Sequence, residues 1–187
     1  MNLYIVHKPG RMIAMITISP GHWREGSGAK DLIDEVVEAR RVVARVVEIL
    51  KIQGVSVTQV QDDESTSQLK NLSFLVRQHN KTRRKVDVSV HFNAIGGRIQ
   101  QGIGTEVLFY DAVTLATAMS KAISHASGLK NRGAKQRKEL TFLNATTMPA
   151  IMIELCFVNS VADVNCYKQH FEAICRAIAT TLADFIG

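Results

Sequence analysis

Two histidines and two glutamates in this chain stand where a metal and a proton carrier could be assembled. His22 follows the apolar run Ile16-Thr17-Ile18-Ser19 and a Pro20-Gly21 turn, and Glu35, thirteen residues on, opens a long amphipathic segment. A second strand-like run ends in Ser89-Val90-His91-Phe92-Asn93-Ala94. Two imidazoles and a carboxylate delivered from element ends suit one zinc ion. Three protein ligands leave a fourth position for water, the arrangement of a catalytic site. Glu154 sits within Ala150-Ile151-Met152-Ile153-Glu154-Leu155. An unpaired charge in such a run is costly, which makes Glu154 the candidate proton-handling group.

The chemistry would be metal-assisted hydrolysis. Zinc on His22, Glu35 and His91 brings the pKa of a bound water to about 7 and polarises a substrate carbonyl. Glu154 then takes the water's proton and passes it to a leaving amine. Each residue also has a plainer reading. A lone histidine after a strand is commonly packed or hydrogen-bonded, and Glu154 could close a buried ion pair with an arginine or lysine. Glu38, nearer the edge of the same apolar stripe as Glu35, is a rival ligand. Asn93 either donates to a substrate carbonyl, orients Glu154, or caps the following turn. Cys156, two residues past Glu154, is either a thiol nucleophile or inert packing. His7, His79, His125 and His170 fall in tails or helices and read as structural or surface residues.

These residues need elements to carry them. Residues 13–19 read as a buried strand ended by Pro20-Gly21, and 21–34 as a charged, glycine-containing loop. Apolar residues at 36, 39, 43, 46, 47 and 50 trace one helical face over 35–53, with Gly54 as its stop. A strand over 55–60, a loop over 61–67, a helix over 68–84 and a strand over 86–91 follow, then a glycine loop at 96–97. Residues 104–110 and 150–155 read as strands, 112–127 and 161–185 as helices, and 140–143 as a short strand. This alternation predicts an α/β fold: a single mixed, mostly parallel sheet of about five to six strands with helices on both faces. His22 and His91 fall just past strand ends, at the carboxyl edge where such sheets place their sites.

The remaining features narrow the function class. The chain has 187 residues, 46% hydrophobic and 21% charged, enough for one domain with a developed core. No uncharged apolar run approaches the roughly 18 residues of a membrane span. The run Met12 to Ile18 leads into Pro20-Gly21-His22 without a small-residue cleavage site, which argues against a signal peptide and for synthesis in the cytoplasm. Cys156, Cys166 and Cys175 are an odd set without metal-site spacing and read as reduced. Net charge is +6, with basic clusters at Lys81, Arg83, Arg84, Lys85 and at Lys130, Arg132, Lys135, Arg137, Lys138. Such clusters suit an anionic polymer or are simply solvated. Without interleaved aromatics to stack bases, they argue against nucleic acid.

At these residues the chain resembles the zinc-dependent N-acetylmuramoyl-L-alanine amidases of the amidase-3 type, found in bacterial cell-wall hydrolases and phage endolysins. The resemblance runs from about Ile13 to the C-terminus. It rests on ordered blocks: Ser19-Pro20-Gly21-His22, Gly28-Ala29, Glu35, Leu72 with Arg77 and Asn80, Ser89-Val90-His91-Phe92-Asn93-Ala94, Gly104-Thr105-Glu106-Val107, Arg132-Gly133, and Pro149-Ala150-Ile151-Met152-Ile153-Glu154. It implies zinc, one per chain, on His22, Glu35 and His91, and Glu154 as catalytic acid/base. Asn93, Arg77 and Trp23 become candidate substrate contacts. Trp23 and Arg24 stand where the family usually has Gly-Gly, so Trp23 is expected to line the groove or alter which peptide or glycan is accepted. The implied substrate is peptidoglycan, cut between the lactyl group of N-acetylmuramic acid and L-alanine, by a monomer with no membrane span. The expected route to the wall is phage-type release, or secretion if a native N-terminus is missing. Residues 1–12 have no counterpart in the family's pattern and read as a leader or extension, with 13–187 as the catalytic domain. A zinc peptidase cutting within the peptide stem and a non-catalytic wall-binding protein are the rival readings.

Overall fold

Runs of β-branched residues bounded by turn residues form the inner strands of one six-stranded sheet. In chain order the elements are β1 (Ile16–Pro20), α1 (Glu35–Ile52), β2 (Val57–Gln59), α2 (Gln68–Asn80), β3 (Val86–Asn93), β4 (Thr105–Phe109), α3 (Val113–Ser127), β5 (Asn131–Gln136), α4 (Thr141–Ala145), β6 (Ala150–Phe157), α5 (Val161–Gln169) and α6 (Phe171–Ile186). The computed structural model describes residues 15–187, so the expected leader at 1–12 lies outside the described residues. Strand order is β2-β1-β3-β6-β4-β5. All neighbours pair parallel except β4 and β6, which are antiparallel. This is the mixed, mostly parallel α/β sheet the alternation predicts. The one reversal brings the starts of β4 and β5 to the rim where β1, β3 and β6 end.

Helix α6 packs between α1 and α3 over one face, and α2 packs with α4 over the other. The stripe Val36, Ala39, Val43, Val46 and Leu50 of α1 is buried in the main core. Asp34 caps the helix by accepting from the N–H groups of Val36 and Val37, and Gly54, at φ +75°, lets the chain turn away at its end. In β3 the period of two separates chemistries. Val86, Val88, Val90 and Phe92 enter the main core. Asp87, Ser89, His91 and Asn93 fall on the α2 and α4 side.

That polar row survives burial because its members are paired. Asp87 accepts from Arg84 through Nε (2.7 Å) and Nη2 (2.6 Å), and pairs with His79 Nδ1 (2.7 Å). His79 Nε2 meets Ser19 Oγ at 3.1 Å. His79 is therefore structural, and Arg84, expected in a surface cluster, is a buried ion-pair partner.

Five points depart from expectation. Residues 140–143 contribute to helix α4, not a strand. So short an apolar run carries no readable period, and the helix puts Phe142 and Leu143 against Leu108, Ala150 and Met152. Strand β5, in a basic stretch, was not expected; it is an edge strand with half-exposed side chains. The helical run over 161–185 is two helices that meet at His170. Finally, α2 stops at Asn80, and His91 lies inside β3 rather than past its end.

Candidate active site

The chain reaches His22 through a strand end that proline can close. Pro20 pairs with β3, but β2 pairs with β1 only up to Ile18, so the missing N–H leaves no interior ladder short of a donor. Gly21 N–H donates to the Val90 carbonyl (2.8 Å), and its position admits no side chain: a Cβ there would lie 2.1 Å from the His91 ring. His22 then adopts φ +63°, the only non-glycine residue in the left-handed region among the described residues. Such a conformation persists where its surroundings enforce it. The Asn71 side chain donates to the His22 carbonyl (3.1 Å) and to Asp62 (2.9 Å), while Arg40 donates to the carbonyls of Trp23 (2.7 Å) and Asp62 (3.0 Å).

Glu35 is the first residue of α1, where the helix end favours negative charge. Its carboxylate accepts from Ala29 N–H (2.6 Å) and Phe92 N–H (3.1 Å). Oε2 lies 3.1 Å from His22 Nε2 and Oε1 lies 3.0 Å from His91 Nδ1. Burial alone would raise this carboxyl, but the hydrogen bonds from the two imidazoles hold it well below the usual carboxylate range. For His91, burial opposes the charged ring, and the bond and charge of Glu35 outweigh it and raise its pKa. The other ring nitrogen of His91, Nε2, lies 2.9 Å from Ser89 Oγ.

One donor atom each from His22, Glu35 and His91 lies within 4.8 Å of the others, the grouping the sequence spacing suggested. The rival Glu38 is turned elsewhere, accepting from Arg41 (2.7 Å) and Tyr167 (2.6 Å). The donor set and its cradle fit a divalent cation such as zinc: imidazole and carboxylate ligands, with glycines where side chains would intrude. A Cβ on Gly28 would sit 2.5 Å from Glu35 Oε2 and 2.7 Å from the His22 ring.

Glu154 stands directly across from His91 in the register of β3 and β6. Its Oε2 is buried without a hydrogen-bond partner among the described residues. Burial pushes its carboxyl up to about 7; His91 and Arg137 pull against that rise, while the charges of Glu35 and Glu106 add to it. A small cavity lined by His22, Asn71, Leu72, Ser89, His91 and Met152 opens beside these groups.

The other expected contacts fall out differently. Asn93 donates to Glu106 (3.4 Å), not Glu154, and its Oδ1 accepts from Ala94 N–H (2.8 Å). Arg77 lines a separate groove with Asp63, Leu69 and Phe74. Trp23 is buried, 8% exposed, and its Nε1 has no hydrogen-bond partner among the described residues. Burial pushes the Cys156 thiol far up, the state of an inert packed cysteine. Sequence reasoning gave no role to Asn71, Asp62 and Ser89. One signal for Asn71 was present, since it precedes Leu75 by four residues and so shares its inward helical face.

An α/β sheet that gathers two imidazoles and two carboxylates at one rim has the donor set of a metallohydrolase. The chain belongs to the N-acetylmuramoyl-L-alanine amidase family, whose model matches residues 16–184. It is 31% identical over 158 residues to an uncharacterised protein of Clostridium perfringens (strain 13 / Type A), covering 82% of this chain and 47% of that protein. An uncharacterised 38.4 kDa protein of Clostridium perfringens is 32% identical over 161 residues, covering 82% of this chain and 46% of that protein. The chain thus spans about half the length of these curated relatives. In fold it is similar to the catalytic domain of the CD27L endolysin targeting Clostridia difficile, with a TM-score of 0.82 at 24% identity, covering 91% of this chain and 97% of that one. It is also similar to the N-acetylmuramoyl-L-alanine amidase AmiC2 of Nostoc punctiforme, with a TM-score of 0.79 at 24% identity, covering 92% and 96%. No described helix is long and apolar enough to cross a membrane.

Proposed function

We propose that this protein hydrolyses the amide bond between the lactyl group of N-acetylmuramic acid and L-alanine in peptidoglycan, with one zinc ion on His22, Glu35 and His91. The observation that carries the reading is the convergence of those three donors beside Glu154 in a chain of the amidase family. Zinc in that cradle supplies Lewis acidity toward water and toward the lactyl carbonyl. Ser89 meets the far nitrogen of His91, which sets the orientation of that ligand before substrate arrives. Glu154, with its proton balanced near neutrality, accepts a proton from the attacking water. It returns that proton to the alanine nitrogen as the C–N bond breaks. The products are a muramyl lactyl carboxylate and a peptide with a free alanine amino terminus. The exposed cations of the second basic cluster favour residence on an anionic wall.

The test is digestion of purified peptidoglycan, with mass spectrometry of the fragments. New L-alanine amino termini are expected, with activity abolished by a chelator and restored by zinc. New termini within the stem would make the protein a peptidase instead. Binding without release of fragments, even with zinc added, would leave it a wall-binding protein.

A further inference from the structure

Beyond Glu154 the sheet continues into a cationic station that the reaction itself does not use. His91, Glu154 and Glu106 are directly opposite one another across β3, β6 and β4, so their side chains emerge on one face. Glu106 is buried, and its Oε2 holds both Arg132 Nε (2.6 Å) and Lys135 Nζ (2.5 Å) from β5. Burial would lift the Glu106 carboxyl, but the bonds from Lys135 and Arg132 bring it below its usual value, so it stays ionised. The Arg132 guanidinium also lies over the Phe157 ring, 5.2 Å from its centre. One carboxylate cannot neutralise two cations. Glu106 engages Arg132 through Nε alone, which leaves the terminal N–H groups of the guanidinium for another acceptor. Arg132 and Lys135 are partly exposed, while the carboxylate that pins them is not.

Resting on the amidase reading above, we propose that Arg132 and Lys135, held by Glu106, form a carboxylate subsite for the second residue of the peptide stem. That residue is a γ-linked D-glutamate, whose α-carboxylate is free in some walls and amidated in others. The spacing suits it. The cations meet Glu106 one strand beyond Glu154, and strands lie about 4.8 Å apart. Two residues of extended chain span about 7 Å. A bond seated at Glu154 therefore delivers the second residue's carboxylate to the pinned cations. The terminal guanidinium N–H groups and the ammonium donate to it, and Glu106 keeps both heads from wandering.

The experiment compares kcat/KM of the zinc-loaded protein on two matched substrates, muramoyl-L-alanyl-γ-D-glutamyl-L-lysine and its isoglutaminyl counterpart, which differ only in the α-carboxylate or α-amide of the second residue. The acid is expected to be preferred about tenfold or more, the scale of a charge-assisted hydrogen bond, mostly through KM. In Arg132→Gln and, separately, Lys135→Gln, that preference falls toward one. Equal turnover of both substrates by the native protein overturns the subsite and leaves the amidase reading standing. An intact preference in folded variants that lose activity on both substrates alike would make Arg132 and Lys135 merely structural, and overturns it too. Turnover of neither substrate removes the amidase reading itself, and the subsite falls with it.

Discussion

Replacing Glu154 by Gln separates the proton-handling role from the metal site and carries a stability signature of its own. In the metal-free protein the Glu154 carboxyl is raised from 4.5 to about 7. Between those values the folded chain keeps a proton that the unfolded chain has released, so stability falls as pH rises through this window and stays low above it. At about 1.36 kcal/mol per unit the shift corresponds to at most about 3 kcal/mol, and solvent reaching the partly exposed carboxyl lowers that figure. Glutamine has no such ionisation. Urea unfolding of the metal-free proteins at pH 5 and pH 8, followed by the fluorescence of the single tryptophan, Trp23, should show the variant gaining on the native protein at the higher pH. Other titrating groups are common to both proteins and cancel in the comparison. Parallel pH profiles would refute the argument from burial. In the same variant, zinc content should stay at one per chain while turnover drops by about 10² to 10⁴. A matching loss of zinc would make Glu154 a ligand instead.

Three smaller perturbations probe the scaffold. Gly28→Ala puts a Cβ 2.5 Å from Glu35 Oε2 and should cost at least about tenfold in zinc affinity, with an unchanged circular dichroism spectrum; native affinity would show that the cradle is looser than drawn. Asn71→Ala removes the donor that steadies the strained His22 backbone, so zinc affinity measured by chelator competition should fall about 10- to 100-fold. An unchanged affinity would mean that Arg40 alone suffices. Cys156→Ala should retain turnover, since burial keeps the thiol protonated; a folded but dead variant would restore the thiol as a candidate nucleophile.

What the sequence disclosed, and what it hid, follows from how each signal arises. The inner strands and α1 announce themselves because burial imposes apolar runs and a helical stripe, and His22, Glu35 and His91 stand out as polar residues against that background. Strand β5 has no such background: its partner is β4 alone, and Arg132, Gly133 and Lys135 read as surface. The helix boundary at His170 falls within a continuous apolar pattern, so periodicity runs straight through it. Arg77 shares α2 with Asn71 but lines the neighbouring groove. It lies two residues beyond the inward-facing Leu75, about 200° around the axis. Trp23 follows His22 at a polar, glycine-rich turn, yet it is buried beside the left-handed backbone of His22. Supporting residues such as Asp62 and Asn71 were hidden because polar side chains in a loop and a helix look solvated until the fold brings them together.

The reversal of β4 has an evolutionary consequence. Because β3 ends and β4 begins on one side of the sheet, the segment joining them never has to cross a face, and its length is set by neither strand. Asn159, Ser160 and Asp163 fasten parts of it to the end of β6, but Gly96 and Gly97 form an exposed tip where an added Cβ meets nothing. Extra residues at that tip would cost little, about 0.6 kcal/mol for each doubling of a loop. The architecture thus offers descendants a free margin beside the catalytic rim, where new recognition can be grafted while the sheet beneath keeps its shape.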